Sequence, residues 1–227
     1  MDAANTSATI GRDFFDRARA KLTLAVPPAL HDHTITDAIR GDLDLDPNLW
    51  EQAGVQATRP AAVLVGVVDH PEPSVLLTMR TSDLSSHAGQ IAFPGGKMDP
   101  ADPSPLAAAL READEEIGLD AMLIDPIGYL DLYLTFSGFR ILPVVARVIP
   151  NFELRINARE VVDAFEVPLS FLMSPENHKR GSRDWKGIRR EYYEMPFGGR
   201  HIWGVTAGIL RNLYEKLYGS HDARADL

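Results

Sequence analysis

The spacing of apolar residues predicts helices near both ends of the chain. Residues 10–22 show the pattern of an amphipathic helix, and so do residues 205–218. The apolar positions recur at intervals of four: Phe14, Ala18 and Leu22 in the first segment, and Val205, Ile209, Leu213 and Leu217 in the second. Each predicted helix therefore presents one apolar stripe to a core.

Between these helices, apolar and β-branched runs predict a series of strands. Runs over 61–69 and 74–80 are joined by a short connection rich in proline, which is typical of a hairpin, and another short strand ends at Gly95-Gly96. Further strands are predicted over residues 126–134, 140–149, 160–167, 189–195 and 200–203. With a central helix at about 104–117, this order of elements indicates an α+β fold or an α/β/α sandwich.

The composition changes near residue 60, and this change predicts the domain organisation. We expect residues 1–59 to form an N-terminal helix and a segment that wraps the core, residues 60–218 the main domain, and residues 219–227 a frayed tail. His31 and His33 lie in the wrapping segment, but two histidines without a third ligand nearby are more often surface residues than a metal site. A homodimer through the N-terminal segment or the sheet stays open.

Composition and charge exclude several classes of function. The chain of 227 residues has no cysteine, which excludes a thiol nucleophile, thiolate-bound zinc and iron–sulfur clusters. Its net charge of -9, from 23 Lys and Arg against 32 Asp and Glu, argues against binding of nucleic acid. The longest apolar runs are too short to cross a membrane, and the first residues lack a secretory or transit signal. We therefore expect a cytoplasmic protein.

The central helix has well-defined ends and an apolar face. Ser104 suits the N-cap, Pro105 the first helical position, and Gly118 the residue after the helix. The apolar stripe consists of Leu106, Leu110, Ala113 and Ile117. These features alone predict an ordinary helix packed on a sheet.

The acidic face of this helix is less ordinary. Glu112, Glu115 and Glu116 lie on one face, where each pair of like charges costs on the order of 0.2–0.5 kcal/mol. Carboxylates near the C-terminus of a helix also oppose its dipole. A bound divalent cation would remove this repulsion, and Mg²⁺ prefers such oxygen ligands. The nearby glycines do not form a nucleotide P-loop, because FPGGKM lacks the Ser or Thr that follows the lysine in that motif.

These residues resemble the Nudix box, whose usual pattern is G-x5-E-x7-R-E-U-x-E-E-x-G-U with U aliphatic. The second half of the pattern, from Arg111 to Leu119, matches at every position. In the first half, Asp102 stands where the pattern has Glu, and its spacing to Arg111 is one residue longer. The resemblance implies a Nudix α/β/α sandwich with a mixed sheet, and a hydrolase that uses Mg²⁺ or Mn²⁺ to direct water at a diphosphate.

The resemblance also implies roles for individual residues. Glu112, Glu115 and Glu116 would be metal ligands, Arg111 would hold these carboxylates by charge-assisted hydrogen bonds, and the Gly96 carbonyl would reach the metal. Glu160 would supply a further ligand or the general base, although a solvent-facing strand residue is an equal alternative. The spacing does not decide which carboxylate is the base.

A second resemblance concerns the substrate. Residues 76–96, LLTMRTSDLSSHAGQIAFPGG, resemble the coenzyme A diphosphatase motif LLTxR[SA]xxxRxxxGxxxFPGG. Thr81 and Ser85 depart from it, and Ser85 replaces an arginine. On this resemblance the candidate residues for substrate binding are Arg80, Gly95 and Gly96, although Arg80 would equally suit a structural ion pair. Further segments as far as IWGVTA, residues 202–207, are similar to the same subfamily, but most of them, Trp203 included, suit core packing.

The sequence thus predicts an enzyme that splits the diphosphate of coenzyme A or acyl-CoA into (acyl-)4′-phosphopantetheine and adenosine 3′,5′-bisphosphate. Two alternatives stay open: a Nudix hydrolase of another nucleoside diphosphate derivative (ADP-ribose, a dinucleotide or a nucleoside triphosphate), and a metabolite sensor without catalysis. His87 and His178 are candidates for an acid or base, although structural histidines are commoner.

Overall fold

The computed structural model describes residues 13–35, 39–41, 44–45, 58–81, 89–185 and 188–219. The helices are α1 (residues 13–21), α2 (Pro105–Ile117), α3 (Leu169–Leu172) and α4 (Val205–Tyr218). The strands are β1 (Ile39–Gly41), β2 (Arg59–Val68), β3 (Ser74–Arg80), β4 (Ile91–Ala92), β5 (Gly95–Lys97), β6 (Ile124–Tyr129), β7 (Leu132–Leu134), β8 (Phe139–Val148), β9 (Val161–Pro168), β10 (Lys179–Trp185), β11 (Ile188–Phe197) and β12 (Arg200–Trp203). Short 3-10 turns cover Pro28–Leu30, Ala121–Leu123 and Pro175–Asn177.

Nine strands form one mixed sheet in the order β1-β7-β8-β2-β3-β4, with β5 paired to β2, β6 to β8 and β9 to β3. Strands β2 and β8 run parallel along their whole length, and β1 is parallel to β7. On its other edge, β2 pairs with β3 at Val67 and Val68 and with β5 at Ala61–Val63. The two partners leave β2 at different points, so the end of β3 and the start of β5 border a break in the sheet.

Two apolar cores cover the two faces of this sheet. Along β2, Val65 and Val67 pack with α1, α3 and α4, whereas Ala62 and Leu64 pack with α2. This alternation follows from the pleat of a strand, which points successive side chains to opposite faces. The resulting layers, helix, mixed sheet and helix, confirm the predicted α+β fold with an α/β/α sandwich.

A second sheet of three antiparallel strands, β10-β11-β12, packs beside the first core. Met195 and Ile202 from this sheet are fully buried in that core. The hydroxyl of Thr206, at the start of α4, donates a hydrogen bond to the carbonyl of Ile91 at 2.8 Å. This bond joins the start of α4 to β4, which leads into the Gly95-Gly96 turn, and β12 of the second sheet also contacts β4.

Helix α2 begins and ends where its sequence predicts. The Ser104 hydroxyl accepts a hydrogen bond from the Ala107 amide at 3.1 Å, and Gly118 adopts a left-handed conformation with φ 65°. The amides of Arg155 and Asn157 then donate to the last carbonyls of the helix, at Ile117 and Glu116, over 2.7 and 2.9 Å. Backbone N–H groups of the β8–β9 connection therefore satisfy the carbonyls of this helix end, whose last turn contains no basic residue.

The structure corrects several predicted element boundaries. The strand predicted over 126–134 is two strands, β6 and β7, because Leu130 and Asp131 interrupt it. Glu160 lies in the turn before β9 rather than at the beginning of the strand, and β10 was not predicted. No helix among the described residues is long and apolar enough to cross a membrane. Residues 10–12, Ser85, His87 and 220–227 lie outside the described residues, and the division at residues 59 and 218 stays a prediction.

Candidate functional site

Glu116 is the innermost carboxylate of the site. It projects from the last turn of α2 and is only 2% exposed. The Gly95 amide donates to its Oε2 at 3.3 Å, and Arg80 Nη1 lies 3.5 Å from its Oε1. Arg80 ends β3 and Gly95 begins β5, so the carboxylate fills the break between these strands.

Burial is the main cause of a raised pKa of the Glu116 carboxyl. Burial, with smaller contributions from the negative charges of Glu112 and Glu160, raises the pKa of Glu116 to about 7. Arg80 and the Gly95 amide act in the opposite direction, but they offset only part of the cost of removing a carboxylate from water. A buried carboxylate whose desolvation is only partly offset by hydrogen bonds and ion pairs is typical of a functional site.

Glu112 lies one turn before Glu116 and faces the second glycine of the turn. A Cβ atom on Gly96 would lie 2.5 Å from Glu112 Oε1 and 2.6 Å from its Cδ. Only a residue without a side chain therefore allows this carboxylate to approach the β5 backbone. Burial raises the pKa of Glu112, against the effect of Arg111.

Arg111 joins the carboxylates of the site into one network. Its Nε and Nη2 donate to the two oxygens of Asp102 at 3.1 and 3.0 Å. Its Nη1 donates to Glu112 at 3.0 Å and to Glu115 at 2.9 Å. The hydrogen bond to Arg111 also lowers the pKa of Asp102. The repulsion that the sequence implies is thus already offset in part by Arg111 and Arg80.

The donor set fits the predicted divalent cation. Carboxylates of Glu112, Glu115 and Glu116 and a backbone carbonyl at Gly96 are hard oxygen ligands of the type that Mg²⁺ and Mn²⁺ take. Among the described residues, no three His, Asp or Glu side chains are placed closely enough together to hold a metal ion. Glu115 is 53% exposed and turned to Arg111, so this side chain would have to rotate to reach an ion near Glu116.

Glu160 is close enough to the site to affect it. Its charge contributes to the raised pKa values of both Glu112 and Glu116. The Asn157 side chain donates to Glu160 Oε1 at 3.1 Å, and the Asn157 amide donates to the Glu116 carbonyl. The turn that carries Glu160 is therefore attached directly to the end of α2.

The other candidates from the sequence lie elsewhere. His178 Nε2 lies 2.7 Å from the Leu172 carbonyl, and its ring packs edge-on against Tyr214, so it connects α3 and α4. Its burial lowers its pKa. His31 and His33 are exposed on the N-terminal segment. Trp203 is half-buried, on the second sheet.

Sequence reasoning missed Asn157 and the direct role of the Gly95 amide. The role of the Gly95 amide could have been predicted, because a glycine pair beside predicted carboxylates indicates close backbone approach. Asn157 had no such signal, since it precedes β9 in a stretch of weak pattern. Only the fold brings it to α2.

Comparison with a family model and with a sequence relative identifies the family of this chain. The family model of the NUDIX domain matches residues 57–186. NudL of Yersinia pestis (strain Pestoides F), described as an uncharacterized Nudix hydrolase, is 39% identical over 159 residues, which cover 70% of this chain and 80% of NudL. Similar solved structures include DR0079 of Deinococcus radiodurans, with a TM-score of 0.47 and 11% identity over 70% of this chain and 85% of that chain. An Ap4A hydrolase of C. elegans has a TM-score of 0.42 and 18% identity over 48% of this chain and 80% of its own. Since the family model spans more than half of the sequence and NudL aligns with most of it, this chain belongs to the Nudix family and is a hydrolase of diphosphate bonds.

Proposed function

We propose that this enzyme hydrolyses the diphosphate of coenzyme A or acyl-CoA, with Mg²⁺ or Mn²⁺, to (acyl-)4′-phosphopantetheine and adenosine 3′,5′-bisphosphate. The observation that carries the proposal is the position of residues 76–81 and 89–96, the described parts of the segment that resembles the coenzyme A diphosphatase motif. Both ends of this segment contact Glu116: Arg80 through its guanidinium, and Gly95 through its amide. The residues that resemble a coenzyme A motif therefore adjoin the proposed catalytic carboxylates.

Each residue has a role that its geometry supports. A bound Mg²⁺ or Mn²⁺ would neutralise phosphate charge and lower the pKa of a coordinated water, and Glu112, Glu115, Glu116 and the Gly96 carbonyl would hold it. Arg111 keeps Glu112 oriented, and Glu115 would rotate away from its hydrogen bond with Arg111 to reach the ion. A carboxylate of this cluster, or Glu160, would take the proton from the attacking water.

Arg80 has a second use in this proposal. Its side chain is 27% exposed and lies 3.5 Å from Glu116, which is a long contact and the only one that its guanidinium, with five donors, makes to a carboxylate within the described part of the chain. The remaining donors are available to a phosphate oxygen, for which arginine has the matching planar geometry. We therefore assign Arg80, with the Gly95-Gly96 backbone, to binding of the substrate diphosphate.

A second candidate substrate is another nucleoside diphosphate derivative, such as ADP-ribose. Ser85 favours it, because the coenzyme A motif has an arginine at this position. A sensor without catalysis is disfavoured, since a protein that only binds a metabolite has no need of a buried carboxylate such as Glu116.

A substrate panel tests the proposal. Coenzyme A, acetyl-CoA, 3′-dephospho-CoA, ADP-ribose, a dinucleoside polyphosphate and a nucleoside triphosphate are incubated with Mg²⁺ or Mn²⁺, and products are identified by chromatography. We expect the highest kcat/KM for coenzyme A or its thioester. Equal or faster turnover of ADP-ribose would move the assignment to the second candidate, and tight binding of coenzyme A without product would indicate a sensor.

A matched pair of variants tests the role of the carboxylates. Glu116→Gln keeps the size of the side chain but removes the charge, and we expect it to lower kcat by orders of magnitude. Asp114→Asn is the control, because Asp114 is exposed on the same helix and, two residues from both Glu112 and Glu116, does not share their face. An unchanged rate in Glu116→Gln, or an equal loss in both variants, would contradict the assignment.

A further inference from the structure

The second sheet lies beside the catalytic site. Its strand β12 contacts β4, and β4 leads within three residues to Gly95. On the other side, the guanidinium of Arg190 in β11 lies 3.6 Å from the ring centre of Phe136, in the loop between β7 and β8. That loop meets the start of β2, the strand that pairs with β5. The second sheet is therefore attached to the same end of the main sheet as the glycine turn.

The two faces of the second sheet differ in chemistry. The inner face carries Tyr193, Met195 and Ile202, which pack in the first core. We call the opposite surface the outer face, and it carries Arg183, Arg190, Tyr192 and Trp203 together with Glu194 and His201, which pair with each other at 2.7 Å. The His201 ring also stacks on Trp203, with the ring centroids 6.0 Å apart. The strand register places these residues together, since Arg183 is directly opposite Arg190 and Tyr192 precedes Glu194, the partner of Trp203, by one repeat of the pleat.

Among the described residues, no carboxylate is bound to the arginine pair of the outer face. Like charges directly opposite each other destabilise a sheet. In the described part of the chain, neither guanidinium forms an ion pair with Asp or Glu, although the sequence contains 32 acidic residues. Arg190 is packed on Phe136 and its Nε is buried without a hydrogen-bond partner. A bound phosphate would offset the repulsion and accept from Arg183 and from the Nη atoms of Arg190.

The aromatic pair lies next to these arginines. The rings of Tyr192 and Trp203 meet edge to face with centroids 5.1 Å apart. A Cβ on Gly181 would lie 2.6 Å from Tyr192 Cε2, so the tyrosine ring can pack over this position of β10 only because glycine has no side chain. Both rings are half-buried, which leaves part of each surface exposed to a ligand. Aromatic residues beside arginines are suited to a base and its phosphate.

We propose that the outer face binds the adenosine 3′-phosphate end of the substrate, with Arg183 and Arg190 at the 3′-phosphate and Tyr192 and Trp203 at the adenine. This inference rests on the proposed coenzyme A substrate and deepens it. The 3′-phosphate distinguishes coenzyme A from ADP-ribose and most other nucleoside diphosphate derivatives. The arginine pair would therefore determine specificity and would take no part in the hydrolytic step.

Binding of nucleotide products tests the proposal without catalysis. Calorimetric titrations compare adenosine 3′,5′-bisphosphate with 5′-AMP, which lacks only the 3′-phosphate. We expect the wild-type protein to bind the bisphosphate more tightly, and Arg183→Gln or Arg190→Gln to weaken that binding by about 10- to 100-fold with little effect on 5′-AMP. Tyr192→Leu is expected to weaken both ligands by the same factor, because stacking does not depend on the phosphate.

Arg180→Gln is the matched control. Arg180 is an exposed arginine on the same strand, but it lies opposite Tyr193 and hence on the inner side of the sheet. We expect its affinity for both nucleotides to equal that of the wild type. Since Arg183 is also exposed, Arg183→Gln is expected to fold even if Arg190→Gln does not. Equal affinity of the wild type for the two nucleotides, or an equal effect of Arg183→Gln and Arg180→Gln, would overturn the proposal.

Kinetics separate this inference from the proposed function. For the wild type and Arg183→Gln, kcat/KM is measured with coenzyme A and with 3′-dephospho-CoA. We expect the variant to raise KM for coenzyme A alone and to leave kcat unchanged. If the wild type hydrolyses coenzyme A but the variant affects both substrates equally, the outer face does not read the 3′-phosphate. If the wild type does not hydrolyse coenzyme A, the proposed function fails, and the binding titrations still decide the role of the outer face.

Discussion

The contact between Gly96 and Glu112 allows a sharp test of the site. In a Gly96→Ala variant, the new Cβ would lie 2.5 Å from Glu112 Oε1, whereas ordinary contacts begin at 3.4 Å. The carboxylate must therefore move by the difference of these distances, about 0.9 Å. Gly96 does not have a positive φ, so alanine fits its backbone conformation.

The expected effect is a loss of activity with little loss of stability. A misplacement of about 1 Å at a reacting centre lowers rates by about 10²-fold. The atoms that clash belong to the free end of a flexible side chain, so we expect the free energy of unfolding to change by less than about 1 kcal/mol. The measurements are kcat/KM on the best substrate of the panel and urea denaturation followed by circular dichroism.

Gly95→Ala provides the contrasting control. Its φ is 151°, and a Cβ there would lie 2.5 Å from the Ala62 carbonyl oxygen and 2.6 Å from Val63 Cα. These are backbone atoms of β2, which cannot move aside, and we expect a destabilisation of at least about 1–3 kcal/mol. Gly96→Ala is thus expected to lose activity, whereas Gly95→Ala is expected to lose stability.

A double variant decides whether Gly96→Ala acts through Glu112. Once Glu112→Gln has removed the carboxylate charge, displacement of that side chain lowers activity little further. The loss of kcat/KM in the double variant is therefore expected to be smaller than the product of the losses in the two single variants. Full activity of Gly96→Ala, or a full multiplication of the two losses in the double variant, would refute this reasoning.

Three further predictions concern other contacts. Mg²⁺ at about a hundred times its Kd should raise the Tm by about 5–10 °C, measured by scanning fluorimetry; an equal rise in the Glu112→Gln/Glu116→Gln variant would exclude these ligands. Arg111→Lys should lower both kcat/KM and the free energy of unfolding, the latter by about 1–3 kcal/mol in urea denaturation, because lysine cannot pair with both oxygens of Asp102; wild-type values would contradict the network. Burial lowers the pKa of His178 from 6.5, so the unfolded state binds the proton more readily and stability is lost as the pH falls through that value. The Tm should therefore fall more between pH 7.5 and 5.5 in the wild type than in His178→Gln, and equal falls would disprove this cause.

Local signals predicted the elements that carry the proposed catalytic residues. The ends of α2 follow from Ser104, Pro105 and Gly118, because caps act within a few residues of the helix end. The hairpin of β2 and β3 and the terminal helix α4 follow from periodicity in the same way. These features depend on neighbours in sequence, which a pattern of residues contains.

Contacts between distant segments could not be predicted. Arg80 and Glu116 are 36 residues apart, and the sequence left Arg80 open between a phosphate ligand and an ion pair. Strand β10 was missed because its residues, KRGSRDW, lack an apolar alternation and are held by pairing with β11. The arginine pair likewise becomes visible only through the register of these two strands, since Arg183 and Arg190 belong to separate strands.

The departure of this chain from the Nudix box has a physical explanation in the same network. Asp102 has a shorter side chain than the usual Glu, and its spacing to Arg111 is one residue longer. The turn before α2 uses the extra length: the Asp102 amide donates to the Asp99 carbonyl at 2.9 Å, and the Asp99 amide donates to Asp102 Oδ2 at 2.8 Å. In this position the shorter carboxylate still accepts from two nitrogens of Arg111. We infer that the two departures compensate each other. The side chain of Asp102 is shorter than that of Glu, and the longer loop brings its carboxylate close enough to Arg111 to accept both hydrogen bonds.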